Sequence, residues 1–260
     1  MTGRLAVVGL GPGGSEWCTP AATALLAGAT DLVGYSTYLD MVPARPPTQV
    51  RHPSDNTEEG WRAAQALDLA AEGRSVAVVS SGDPGVFAMA AAVMEQLDRP
   101  DRPPAWERVD VTVTPGVSAA HAAAARVGAP LGHDFATLSL SDNLKPWEVI
   151  ESRLAAAAAA DFVLALYNPA SRRRPWQLAR ALETVGAHRD PATPVVVARD
   201  VGRPSETIRV VALGTLDPAD VDMRTILIVG SSQTRTVDMP GSAGVGVYTP
   251  RRYPFAPAGE

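Results

Sequence analysis

Cysteine is almost missing from this 260-residue chain: Cys18 stands alone. That excludes an intramolecular disulfide and speaks against a thiolate metal cluster, so no metal is expected. An excess of basic charge is missing too, with 23 Lys and Arg against 28 Asp and Glu for a formal charge of −5. A dedicated nucleic-acid binder needs a basic face to neutralise phosphates, and this balance argues against one. A small anionic ligand stays open, because it answers to local rather than net charge. No uninterrupted apolar run reaches the roughly 18 residues of a membrane span. The strand-like Arg4-Leu5-Ala6-Val7-Val8 begins almost at once, with no charged leader or apolar signal core before it. The expectation is a cytoplasmic protein without membrane contact.

What is present is material for a core. Hydrophobic residues make up 46% and charged residues 20%, the balance of a globular α/β chain. Short β-branched runs alternate with alanine-rich amphipathic stretches, the pattern of βα units built on buried strands. Strands are expected at 5–8, 31–34, 75–80 and 109–113, with helices at 19–27, 57–72 and 86–97. Three prolines and two arginines between Arg99 and Pro104 mark a surface loop. Thr114-Pro115-Gly116 divides the chain, giving one α/β domain over 1–115 and a second over 116–240. In the second, helices are expected at 118–127, 147–160 and 176–185, and strands at 135–140, 162–167, 195–199, 206–213 and 225–229. Gly202-Arg203-Pro204-Ser205 reads as a hairpin-like turn. From Met239 the glycine and proline content predicts a loose tail, with 241–260 set apart from both domains.

Three motifs sit where a strand ends and a helix begins. Gly9-Leu10-Gly11-Pro12-Gly13-Gly14 satisfies the spacing of a dinucleotide fingerprint. The acidic residue that should end the second strand and hold a ribose is not in place, because Asp31 precedes its strand. Pro12 also lacks the N–H that a pyrophosphate-cradling loop would use. Ser80-Ser81-Gly82-Asp83-Pro84-Gly85-Val86-Phe87-Ala88 places an aspartate after an apolar strand. It reads either as an Asp helix cap with proline at the first helical position or as a carboxylate facing a ligand at a strand's carboxyl end. Thr114-Pro115-Gly116-Val117-Ser118-Ala119-Ala120 repeats the arrangement, with Ser118 as a natural N-cap and small residues that leave room for an adenosine.

Together these motifs resemble the tetrapyrrole methylase family, whose pattern combines a glycine–proline loop, a Gly-Asp-Pro strand end and a Pro-Gly-(Val/Ile)-(Ser/Thr) strand end. The resemblance runs from Leu5 to about Ser232. It implies two α/β domains with the methyl donor, S-adenosylmethionine, in the interdomain cleft, S-adenosylhomocysteine as product, and a homodimer. The run from Leu131 to Ile150 and Ala165-Leu166-Tyr167-Asn168-Pro169 resemble the branch that methylates C-17 of precorrin-3B and contracts its ring. The cobalt-bearing counterpart, another methylase of the family, a nicotinamide oxidoreductase and a non-catalytic binding module are the competing readings. Carried over position by position, the resemblance implies donor contacts from Pro12, Gly82, Asp83, Val86, Phe87, Ser118, Ala119, Tyr167, Asn168, Ala198, Arg199 and Thr225.

Methyl transfer from a sulfonium is an in-line displacement, so holding two reactants together and excluding water is most of the task. Ring contraction also moves protons, and a general acid or base fits that need. The candidates are His133, Asp134, Ser141 and Asp142, each of which also reads as a loop or capping residue. A polycarboxylate tetrapyrrole calls for cations, and Arg172, Arg173 and Arg203 are the candidates. A solvated loop is the other reading of the triple arginine at 172–174.

Overall fold

The computed structural model describes residues 3–43, 48–55, 58–171, 175–240 and 244–253. The chain divides into two compact units, Met1–Ala119 and Ala120–Glu260.

The first unit runs β1 (Arg4–Gly9), α1 (Pro20–Gly28), β2 (Asp31–Tyr35), α2 (Ser36–Leu39), β3 (Val50–Ser54), α3 (Glu59–Ala71), β4 (Ser75–Ser80), α4 (Met89–Leu97) and β5 (Asp110–Thr114). Its sheet has the order β3-β2-β4-β1-β5 and every neighbouring pair is parallel. Successive residues of a strand face opposite sides, and both sides are covered. Leu5, Val7, Val76 and Val78 pack against Ala66 and Leu67 of α3 and Val93 of α4. Ala6, Val8, Ala77 and Val79 pack against Ala22 and Leu26 of α1. Burial on both faces explains why the central strands read as continuous apolar runs. The chain leaves β1 for β2 over one face and leaves β4 for β5 over the other. The carboxyl ends of adjacent β1 and β4 are therefore where the connections diverge, the switch point at which open α/β sheets bind ligands.

Two differences from the sequence reading stand out here. Strand β3 was not expected: Arg51, His52 and Pro53 carry no strand signal. It forms as an edge strand, where proline's missing N–H is tolerated. Helix α4 starts at Met89 rather than 86, because 84–88 form a turn in which Phe87 has φ +53°.

The second unit runs α5 (Ala119–Val127), β6 (Gly128–Ala129), β7 (Phe135–Ser139), α6 (Trp147–Ala159), β8 (Val163–Tyr167), α7 (Gln177–Gly186), β9 (Pro194–Arg199), β10 (Thr207–Ala212), β11 (Thr225–Val229), β12 (Arg235–Asp238) and β13 (Val245–Tyr248). The main sheet is ordered β10-β9-β11-β8-β7. Only β7 and β8 are parallel; β8–β11, β9–β11 and β9–β10 are antiparallel. One face packs on α6 and α7 through Ile150, Leu154, Leu178, Ala181 and Val185. A second, three-stranded sheet has the order β12-β13-β6. It corrects the expectation of a loose tail: Val247 is buried, and Thr249 donates through its N–H to Ala129 O and through its hydroxyl to Pro130 O. Glycine-rich flanks hid a strand of which Gly246 and Val247 are buried. Among the described residues no helix is long and apolar enough to cross a membrane.

Candidate functional site

At the first unit's switch point three strand ends meet main chain to main chain. Gly11 N–H donates to Gly82 O at 3.1 Å and Gly82 N–H to Gly11 O at 2.7 Å. A Cβ on Gly9 would lie 2.6 Å from Gly116 N and 2.7 Å from Gly82 O, and one on Gly116 would strike Gly82 O. Gly11 and Gly82 have φ of +75° and +69°, where a side chain is disfavoured. On its other side a Cβ added at Gly82, itself buried, would be in ordinary van der Waals contact with the 117–119 main chain, Ala119 N being nearest at 3.8 Å. The glycines leave this switch point lined by main chain rather than by side chains.

Asp83 does not cap α4, which starts six residues later. Its Oδ1 accepts from Gly85 N–H at 2.8 Å and its Oδ2 from Gly116 N–H at 3.0 Å. The carboxylate thus ties the β4 loop to the β5 loop. Pro12 and Ser118 are buried here and Val86 is half-buried. Phe87, 48% exposed, holds a left-handed backbone. A bulky residue in that region persists only where its surroundings over-determine it, and such strain gathers at ligand sites.

In the second unit one edge collects the carboxyl ends of β7, β8 and β9 and the amino ends of β10 and β11. Ser139 lies opposite Tyr167, and Arg199 lies opposite both Thr207 and Thr225. Ser139 Oγ accepts from Asn168 Nδ2 at 3.0 Å and from Ser141 N–H at 3.3 Å. Asn168, with φ +51°, turns the chain out of β8. The Tyr167 hydroxyl accepts from Ala120 N–H at 3.0 Å, satisfying a donor in the first turn of α5 that has no partner within the helix. Asp142 Oδ2 accepts from Gln177 Nε2 at 2.9 Å, and the Trp147 and Trp176 rings meet edge to face at 5.0 Å. Lys145 lies between Asp142 and Trp147 in the chain, and burial of its ammonium, with the charge of Arg153, pushes its pKa below the ordinary value.

On the β9 side of that edge the expected donor contacts are engaged within the unit. Ala198 is fully buried between β10 and β11, with no side-chain surface to offer. Arg199 is engaged by Asp222 at 2.9 Å and Asp200 at 3.0 Å. Its hydrogen bond to Asp222 comes first among the causes that raise its pKa. The Thr225 hydroxyl donates to Asp222 Oδ1 and closes its own turn. Arg203 lies in the β9–β10 turn, where its N–H donates to Asp200 O. Sequence reasoning missed Asp200, which has φ +52° and is 3% exposed. Its Oδ2 accepts from Ser205 and pairs with Arg199 and Arg224, while its buried Oδ1 has no partner among the described residues. An aspartate in a left-handed turn leaves no periodic signal.

His133 and Asp134 are not brought to this edge. They precede β7 and Ser141 and Asp142 follow it, so about 16 Å of extended strand separates the pairs. His133 Nδ1 accepts from Asp134 N–H at 2.8 Å and the ring packs edge to face on Tyr253. Arg172 and Arg173 lie outside the described residues. Asp31 opens β2 at the edge away from the Gly9 loop, where it pairs with His52 and Arg74 at 2.8 Å. It cannot serve as the ribose-holding acid of a dinucleotide site. Among the described residues no group of three His, Cys, Asp or Glu stands ready for a metal ion.

Backbone loops at the switch point of a parallel sheet, together with a polar strand edge in a second α/β unit, define a two-unit α/β protein built for a small-molecule ligand. Residues 4–217 match the family Tetrapyrrole (Corrin/Porphyrin) Methylases, and the chain belongs to it. It is 57% identical over 98% of its length to the cobalamin biosynthesis protein CobIJ of Mycobacterium tuberculosis, and it spans about half of that relative (49%). It is 52% identical to the precorrin-3B C(17)-methyltransferase of a Sinorhizobium species, over 97% of this chain and 98% of that one. The crystal structure of the methyltransferase CobJ is 48% identical, with a TM-score of 0.89 over 95% of this chain and all of that one.

Proposed function

We propose that this chain transfers a methyl group from S-adenosylmethionine to C-17 of precorrin-3B, contracts the macrocycle to give precorrin-4, and releases S-adenosylhomocysteine. The reading places it in the cytoplasm as a homodimer. The observation that carries it is the end-to-end likeness to the Sinorhizobium enzyme. The donor, when bound, supplies a methyl carbon already activated by its sulfonium, so no metal or nucleophilic side chain is needed.

The residues have separate tasks in this reading. The bare backbone at Gly82, with Pro12, Val86, Phe87, Ser118 and Ala119, lets the donor lie against main chain. Asp83, its oxygens taken by Gly85 and Gly116 N–H, fixes the shape of that cradle. Tyr167 and Asn168 present side chains from the second unit, and Arg203 meets a substrate carboxylate. Of the acid–base candidates, Ser141 and Asp142 stand on the same edge as Tyr167 and Asn168, and they are the pair assigned to proton movement during contraction.

Purified protein, precorrin-3B and isotope-labelled S-adenosylmethionine test this directly. One added methyl by mass spectrometry, with the absorption change of a contracted ring, is the expected result. Tight S-adenosylhomocysteine binding without transfer would move the assignment to the cobalt-bearing macrocycle, and absence of both would end it.

A further inference from the structure

Among the largest fully buried side chains of the described residues, all are leucine or isoleucine except Gln177. Packing alone does not explain it. The inward face of α7 is already made by Leu178, Ala181 and Val185, and a buried amide must find partners for both its ends. Only one end has a partner. Nε2 donates to Asp142 Oδ2 at 2.9 Å, while Oε1 is buried and has none among the described residues.

We infer that Gln177 is the positioning residue for Asp142, holding that carboxyl group in one place in both of its protonation states. An ionised carboxylate only accepts, so it takes the Nε2–H. A protonated one has an O–H to give, and a half-turn of the amide sets Oε1 to receive it. An amide with a free oxygen suits a partner that changes its proton, whereas a fixed cation would serve only the ionised form. Asp142 needs such a holder because 140–146 is irregular chain, and Leu144 within it is 90% exposed. The Trp147–Trp176 ring contact is a second tie between the same two segments, so the amide works against a braced loop. The inference rests on the proposed function, in which Asp142 moves a proton.

The test compares turnover of precorrin-3B, S-adenosylhomocysteine affinity and melting temperature in wild type and four variants. Gln177→Met keeps the side chain's length and removes its hydrogen bonding. It should lower kcat roughly ten- to a hundredfold, leave S-adenosylhomocysteine affinity within about twofold, and add no further loss to Asp142→Ala when the two are combined. The exchange variant Asp142→Asn with Gln177→Glu rebuilds an amide–carboxylate bond with its ends reversed. It should melt near the wild-type temperature and yet stay slow, because the carboxylate has moved to the buried position. Recovered turnover in the exchange variant, or a full extra loss from Gln177→Met on top of Asp142→Ala, would overturn the positioning role and leave the proposed function standing. No conversion by the wild type would remove the function and, with it, the inference.

Discussion

The two sheet edges assigned to ligands in the proposed function are made of different material. In the first unit the edge is main chain: Gly9, Gly11, Gly82 and Gly116 are in backbone contact, and the one carboxylate among them is occupied by two N–H groups. In the second it is side chain: Ser139, Ser141, Asp142, Tyr167 and Asn168 project from strand ends or the loops after them. Backbone offers the same donors and acceptors whatever the neighbouring residues are. It suits the part of a reaction that a family shares, which in the proposed function is the methyl donor. Side chains change by single substitutions, and they suit what separates one branch from another.

The sharpest way to break that comparison is to put a methyl group into the backbone edge. Gly116→Ala drives a Cβ into Gly82 O, and the loops must separate. Overpacking of this kind costs about 1–3 kcal/mol of stability. If about 2.8 kcal/mol of that cost falls on the bound state, calorimetry should show S-adenosylhomocysteine affinity reduced roughly a hundredfold. Unchanged affinity would mean that the donor does not use this edge. Asp83→Ala comes next. It leaves Gly85 and Gly116 N–H without their acceptor, at about 1–3 kcal/mol, and should weaken the same ligand about tenfold with a lowered melting temperature. Asp83→Asn keeps one carbonyl oxygen and should fall between the two.

Much of this contrast was legible in the chain itself. The buried strands β1, β4, β8 and β11 carry unbroken apolar runs, and the glycine loop, the Gly-Asp-Pro strand end and the Pro-Gly-Val-Ser strand end mark the first edge. What stayed hidden depended on direction and distance. Asp83 reads locally as a cap, because its partner Gly116 is 33 residues away. His133–Asp134 and Ser141–Asp142 look equivalent within one polar stretch, and only the polarity of β7 sends them to opposite ends of a sheet. Gln177 is an ordinary polar residue at a helix start until its burial is seen. The strands β3 and β13 lack apolar alternation of their own and exist because neighbouring strands supply the partner.

The opposite edges of the two sheets are alike. Each unit there keeps one carboxylate below its usual pKa. Burial pushes Asp31 up, but hydrogen bonds from His52, Thr30 and Arg74, with the charge of Arg74, outweigh it. Burial also pushes Asp161 up, and Ser232, Tyr253 and the charge of Arg189 outweigh it. A carboxyl whose folded pKa is depressed contributes stability above its unfolded value of about 3.9, and that contribution fades as pH falls through the folded value. Asp31→Asn and Asp161→Asn should each lose about 1.5–3 kcal/mol at pH 7, as hydrogen bonds to a charged group are removed. The gap to wild type in melting temperature should close as the pH is lowered toward 3. A gap independent of pH would show that the charge of these groups contributes nothing to either unit.

The smallest effect separates position from residue type. Gly28 ends α1 and Gly186 ends α7, and an added Cβ at either meets nothing within 4 Å. Neither has a left-handed backbone. Alanine there restricts the unfolded chain and favours the helix, which is worth about 0.4–1 kcal/mol. Gly28→Ala and Gly186→Ala should therefore raise the melting temperature by a degree or more, one in each unit, and leave S-adenosylhomocysteine affinity unchanged. The same exchange of glycine for alanine at position 116 is predicted to have the opposite sign. If all three substitutions lowered stability alike, glycine would matter here for chain flexibility in general. If only Gly116→Ala does, what matters is the backbone contact at one edge of one sheet.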